Sequence, residues 1–287
     1  MPVQTITNEF YTAAIDTDGA QLVSLIRNAT GEEFIWQRDP KFWADSAPIC
    51  FPVVGRLKGG SFSHEGKSYK IDKHGCVRGL PFFKSRHTKK AVALSVCANI
   101  QTKKSFPFSF KLTISFTLED DGLSVQYFAE NLGTNTMPMS LGFHPAFALD
   151  PSASLSDYEI HFSDIENQDL YGIKGEAFGL RKKGYLKDQS IIQLSDTIFD
   201  EDALVFKNIK STCVSIIHRE KDWRLDVETG GAPHLALWAK PRAPFICIEP
   251  WYICPDEKGT PEELSEKEDI QLLAPGDSFK AGYKILP

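Results

Sequence analysis

Hydrophobic positions along this chain recur at every second residue far more often than at every third or fourth. FKLTISFTLE (110–119) and LSVQYFAEN (123–131) alternate apolar and polar side chains through their length, and LSVCANI (94–100), STCVSIIHRE (211–220) and WRLDVET (223–229) are short β-branched or aromatic runs. A period of two puts alternate side chains on opposite faces of a strand. FKLTISFTLEDDGLSVQYFAEN predicts a hairpin turning at Asp120-Asp121-Gly122. GGSFSHEGKSYKI predicts a second, turning within His64-Glu65-Gly66-Lys67, while Gly19 and Gly31 punctuate short strands near the N-terminus. Helical pattern is scarce. TPEELSEKED (260–269) predicts a helical turn or two, with Thr260 as N-cap ahead of Pro261 at the first helical position. Residues 164–194 are polar and rich in Gly and Lys, and they predict loop and short strands around the sheet edges. No repeat or linker divides the chain. The expected fold is all-β: one large antiparallel β-sandwich domain over residues 1–287 with very little helix, a two-domain β protein being the alternative.

Composition narrows the function classes. Hydrophobic residues make up 42% and charged residues 24%, enough apolar material for a sizeable core. A net charge of −6 and a pI near 5.7 argue against nucleic acid or an anionic membrane as partner. MPVQTITNEF lacks a basic-then-apolar leader, and no apolar run approaches eighteen residues, so a soluble, unexported protein is expected. Cys50, Cys76, Cys97, Cys213, Cys247 and Cys254 form no CxxC pair and mostly adjoin Ile, Val or Phe. Buried free thiols in a reducing compartment follow, hence a cytoplasmic protein.

Candidate chemistry begins with two X-Pro dipeptides in apolar runs: His144-Pro145 in SLGFHPAFAL and Glu249-Pro250 in PFICIEPWYIC. Burying an ionisable group is costly unless it is paired or its shifted pKa is used. His144 reads as a satisfied core or turn residue, or as a proton-transfer group. Glu249 reads as the partner of an arginine elsewhere in the chain, or as a base strengthened by burial. Upstream, CFPVVGRLKGGSF carries Arg56, and KHGCVRGLPF carries His74, Gly75 and Arg78. These suit hydrogen bonding to a polyol or clamping of an anion, as well as a plain surface role. Asp202 in IFDEDALVF is a solvated turn residue or a hydroxyl anchor. Trp36, Trp43 and Trp251 pack in the core or stack on a sugar face. GxGxxG, GxxxxGK[ST], HExxH and GxSxG motifs are absent, and the seven histidines never fall at metal-ligand spacing, so neither cofactor nor metal is expected.

In order, FPxxGR (51–56), HGxxR (74–78), GFHPAF (142–147), DALVF (202–206) and CIEPW (247–251) resemble the aldose 1-epimerase (galactose mutarotase-like) family, and within it the LacX-like branch. The resemblance covers nearly the whole chain from about residue 10. It implies a galactose mutarotase-like β-sandwich with a sugar on its concave face. It also implies an isomerase that interconverts the anomers of an aldose without cofactor, as a monomer or homodimer. By the same resemblance Glu249 would take the proton from the anomeric hydroxyl and His144 would protonate the ring oxygen. His74, Arg56 and Asp202 would bind the sugar, with Asp200 as the alternative to Asp202. Gly55-Arg56 and His74-Gly75-Cys76-Val77-Arg78 depart from the galactose-specific pattern and are similar to the hexose-6-phosphate 1-epimerase branch, where Arg56, Arg78 and nearby Lys73 would hold phosphate. A free aldose is the preferred expectation, with a sugar phosphate or non-catalytic carbohydrate binding as alternatives.

Overall fold

Alternation in the sequence becomes alternation in burial. In Phe110–Glu119 the side chains of Phe110, Leu112, Ile114, Phe116 and Leu118 are buried and those between them are not. This strand pairs with Gly122–Asn131 from Glu119↔Gly122 to Phe110↔Asn131, leaving Asp120 and Asp121 as the loop. Ser61–His64 and Lys67–Lys70 form the second expected hairpin. Its loop, Glu65-Gly66, has positive φ at both positions (49° and 75°), as a two-residue hairpin turn that matches strand twist requires.

The computed structural model describes residues 3–174 and 177–287. Among the described residues every strand ladder is antiparallel, as expected of a large β-sandwich with very little helix. A fifteen-stranded sheet dominates, accompanied by a four-stranded N-terminal sheet and two two-stranded ribbons. Ile6, Ala13, Ile15 and Leu25 from the N-terminal sheet share one hydrophobic core with Val92, Ile114 and Phe116 from the large sheet. Backbone bonds such as Thr7 N–H to Lys89 O (2.7 Å) tie the layers together.

For function, the decisive feature is strand order. Ile49–Cys50, Gly142–Phe143, Phe245–Trp251, His234–Trp238 and Leu204–Phe206 are successive neighbours in the large sheet. Segments about a hundred residues apart in sequence, such as Cys50, Gly142 and Trp251, are therefore paired in adjacent strands. No helix among the described residues is long and apolar enough to cross a membrane.

Two local expectations are corrected. Residues 164–194 are not loop and short strands. Of these, 164–174 and 177–193 belong to the two longest strands, Tyr158–Lys174 and Ala177–Gln193, which pair with each other, while 175–176 lie outside the described residues. Four register shifts interrupt that pairing between His161 and Tyr171, and a slip by an odd number of residues turns side chains to the other face, which breaks up the period-two signal. TPEELSEKED forms only a 3₁₀ turn at Leu264–Glu266, whose N-cap is Glu263 rather than Thr260. Thr260 Oγ1 accepts instead from Glu257 N–H (2.9 Å), and Glu262 O accepts from Ser63 N–H (2.7 Å). These bonds hold the segment extended against the neighbouring ribbon. The cysteines are free, as expected, but only Cys50 and Cys247 are fully buried and Cys97 is exposed.

Candidate active site

A cleft of about 210 Å³ opens over the five neighbouring strands, with Glu249, His144 and His74 among its lining residues. Glu249 lies on Phe245–Trp251, a strand buried along its whole length, and is itself 1% exposed. His144 occupies the gap between the short strands Gly142–Phe143 and Ala146–Ala148, both of which pair with that strand. Gly142 faces Trp251 and Ala146 faces Cys247, so His144 falls across from Glu249. Both His144 and Glu249 precede a proline, which disfavours helical backbone there and removes a ladder donor beside each. The two side chains meet: His144 Nε2 is 3.3 Å from Glu249 Oε2. Glu249 Oε2 and His144 Nδ1 are nevertheless buried without a hydrogen-bond partner, and so is Trp251 Nε1 in the same cleft. Three unsatisfied polar atoms in one buried cleft are a costly arrangement, of the kind native folds keep where a ligand completes it.

Electrostatics follow from that burial. Desolvation raises the Glu249 carboxyl well above its usual range, reinforced by Asp202 and opposed by Lys73 and by the neighbouring Trp251 indole. Desolvation pushes His144 down to about 3, helped by the charge on Lys73. Burial thus works in the same direction on both groups, favouring the neutral imidazole and the neutral carboxyl over their charged forms.

His74 is held differently. Its backbone has φ 68° and is clamped from both sides, with His74 N–H donating to Gly55 O (2.8 Å) and Phe51 N–H to His74 O (3.1 Å). Its Nδ1 accepts from Gly55 N–H (3.2 Å) and touches Cys50 Sγ (3.0 Å), so the ring hydrogen belongs on Nε2. Burial, with His144 beside it, holds its pKa well below the usual imidazole value. It is thus a fixed neutral donor, its ring 5.4 Å from that of His144. Gly75 makes this clamp possible. At φ 93° a Cβ there would meet Phe51 O at 2.0 Å. Gly75→Ala is expected to cost about 2–4 kcal/mol of stability, measured by denaturant unfolding, and to displace His74.

The other expected site residues divide. Asp202 lines the cleft with φ 78°, its Oδ1 accepting from Ala203 N–H (2.9 Å), whereas Asp200 is exposed and lies outside it. Arg78 lines the cleft and pairs with Asp45. Arg56 is not brought in. It is exposed and borders a separate depression with Lys70 and Asp72, because the chain turns at Gly55 to present that amide to His74. Trp43 and Trp251 line the cleft, while Trp36 sits beneath, donating through Nε1 to Trp43 O (2.9 Å). The expectation of no metal-ligand spacing also changes: His144, Cys247 and Glu249 bring a nitrogen, a sulfur and an oxygen within 4.8 Å of one another, the one such group among the described residues.

Sequence reasoning missed Trp238 and Lys240. Trp238 packs edge-on against His144 at 5.8 Å, and both residues line the cleft. Their signal was parity. In HLALWAK, Ala236 lies opposite Glu249, so Trp238 and Lys240, two and four residues on, point to the same face.

The sequence profile of the aldose 1-epimerase family matches residues 2–285. The plasmid LacX protein of Lactococcus lactis subsp. lactis is 29% identical, over 98% of this chain and 97% of its own. A galactose mutarotase related enzyme from Lactobacillus acidophilus, 28% identical, superposes with a TM-score of 0.93, covering 99% of this chain and 97% of that one. A galactose mutarotase-like protein from Lactobacillus casei ATCC 334 does so with the same identity and TM-score, over 99% of both chains. By a match that runs almost from end to end, the chain belongs to the aldose 1-epimerase family.

Proposed function

We propose that the protein interconverts the α and β anomers of an aldose by acid/base ring opening and closure. The observation that carries this reading is the placement of His144 Nε2 3.3 Å from Glu249 Oε2 at the floor of the cleft, with Glu249 Oε2 unpartnered. The anomeric hydroxyl and the ring oxygen share one carbon, so two groups this close reach both. Glu249 takes the hydroxyl proton while His144 delivers a proton to the ring oxygen, and the C1–O5 bond opens to the aldehyde. Rotation about C1–C2 followed by the reverse transfers gives the other anomer.

One transferable proton serves both halves of the cycle. Burial favours that proton on Glu249 over His144, the arrangement the ring-opened sugar leaves behind. A bound closed sugar favours the charged arrangement, because its hydroxyl donates to Glu249 and its ring oxygen accepts from His144. The Nε2–H of His74 donates to a sugar oxygen, Asp202 accepts from hydroxyls, and Trp43 offers a ring face. The test is polarimetry of freshly dissolved α-glucose and α-galactose. Decay of optical rotation faster than in buffer supports the reading; calorimetric sugar binding without faster decay assigns the cleft to carbohydrate binding alone.

A charged aldose is the second reading, favoured by Lys73, Arg78 and Lys240 in the cleft lining. Neither lysine has an ion-pair partner among the described residues, and each is exposed at the cleft wall. On this reading Lys73→Met with Lys240→Met lowers the ratio of kcat/KM for a hexose 6-phosphate to that for the free hexose by about tenfold or more, roughly 1.4 kcal/mol of binding. An unchanged ratio, measured by anomer-exchange NMR, leaves the free aldose as substrate.

A further inference from the structure

We propose that His144, Cys247 and Glu249 form a binding site for a single thiophilic divalent cation, with Zn²⁺ as the reference ion, and that its occupation shuts down the sugar chemistry. Cys247 and Glu249 are two residues apart on Phe245–Trp251, so both side chains leave the same face of the strand. Ala146 pairs with Cys247, which brings the chain carrying His144 over that face. One ligand atom from each residue lies within 4.8 Å of the other two.

The donor set and its surroundings both suit such an ion. Tetrahedral Zn²⁺, with bonds of about 2.3 Å to sulfur and about 2.0–2.2 Å to nitrogen and oxygen, needs separations of roughly 3.3–3.5 Å between nitrogen and oxygen and roughly 3.5–3.7 Å to sulfur. The His144–Glu249 distance of 3.3 Å already meets this, and the sulfur closes the set by moving about 1 Å. Glu249 Oε2 is buried with no competing hydrogen bond. Cys247 lies in an aromatic and apolar cluster with Trp36, Ala146 and Phe245. A thiolate, a carboxylate and a neutral imidazole carry two negative charges between them, so the occupied site is neutral, which suits its burial. Binding requires the Cys247 thiolate and the Glu249 carboxylate, so loading is favoured at higher pH. Entry is from the cleft, which Glu249 and His144 line, with Cys247 beneath them.

Three protein ligands leave the fourth position facing the cleft, open to water or a sugar hydroxyl. The unpartnered Nδ1 of His144 lacks the hydrogen bond that orients the imidazole in high-affinity sites. An inhibitory site of moderate affinity follows, not a structural one. Bound metal occupies both proton-transfer groups, so epimerisation and metal binding exclude each other; this consequence alone rests on the proposed function.

The test is titration of the intact protein with Co²⁺ and Zn²⁺. One equivalent of Co²⁺ should give a thiolate-to-cobalt charge-transfer band in the near ultraviolet. In Cys247→Ala that band should vanish, and Zn²⁺ affinity by calorimetry should fall by about tenfold or more. Glu249→Gln keeps the thiol and should weaken Zn²⁺ by a similar factor. A band that persists in Cys247→Ala, or wild-type Zn²⁺ affinity in either variant, overturns the site by assigning the metal to other thiols such as exposed Cys97. These readouts need no enzymatic activity. Failure of the epimerase reading is seen separately, in polarimetry without metal. If activity is present, Zn²⁺ should inhibit wild type and spare Cys247→Ala.

Discussion

Glu249→Gln is expected to lose about 10²–10⁴-fold in anomer exchange and yet to unfold at a higher temperature than the wild type. The loss follows from removing the group proposed to accept the anomeric proton. The gain follows from linkage. The folded-state pKa of Glu249 lies well above its unfolded value, so the folded protein binds more protons between the two. Stability contributed by this group is therefore full at low pH and is lost as pH rises beyond the ordinary carboxylate range. Glutamine mimics the protonated carboxyl and does not titrate. The variant should match wild type near pH 4 and exceed it at pH 7 and above, by about 1–2 kcal/mol or roughly 2–8 °C in Tm. Thermal unfolding at several pH values measures this. Equal or lower stability at neutral pH would mean that Glu249 is satisfied by interactions in the fold.

His144→Asn should lose activity to a similar extent, about 10²–10⁴-fold, because asparagine cannot deliver a proton to the ring oxygen. Combining it with Glu249→Gln should cost little more than either alone, since the two side chains act as one couple. The pH profile separates this couple from an ordinary imidazolium–carboxylate pair, which loses its active form above the usual imidazole pKa of about 6.5. Here His144 is held down to about 3 while Glu249 is held up, so the pair keeps a single proton across the interval between. The profile of kcat/KM should stay flat through that interval and decline on the alkaline side as the last proton leaves. Linkage for His144 runs opposite to that for Glu249. A histidine with a depressed folded pKa loses stability as pH falls below about 6.5, because only the unfolded chain then takes up the proton. Replacing it with asparagine removes that acid sensitivity, at the expense of packing against Trp43 and Trp238 worth about 1 kcal/mol.

Legibility differed between parts of the chain for physical reasons. Phe110–Asn131 could be read directly because one face of each strand is buried, so polarity alternates with the pleat. Tyr158–Gln193 could not, because register shifts and extensive exposure leave no steady inner face. His144 and Glu249 stood out because a charge-capable side chain among Phe, Ile and Trp breaks its local pattern. Asp202 was distinguishable from Asp200 only in three dimensions, since one residue of left-handed backbone decides which carboxylate turns inward. Arg56 was misplaced for a related reason: motif order says that a residue neighbours the site but not which way its side chain leaves the chain. Lys240 and Cys247 gave no signal alone. They acquire meaning through strand register, the lysine along one strand from Ala236 and the thiol two residues before Glu249.

Anomer-exchange NMR on aldoses labelled with ¹³C at C1, with and without a 6-phosphate, puts the His144–Glu249 couple to the test. Wild type should exchange the anomers of at least one of these sugars well above the buffer rate, and Glu249→Gln and His144→Asn should each fall towards it. Wild-type exchange that survives in both variants, or sugar binding with exchange no faster than buffer, would contradict a proton-transfer role for the pair.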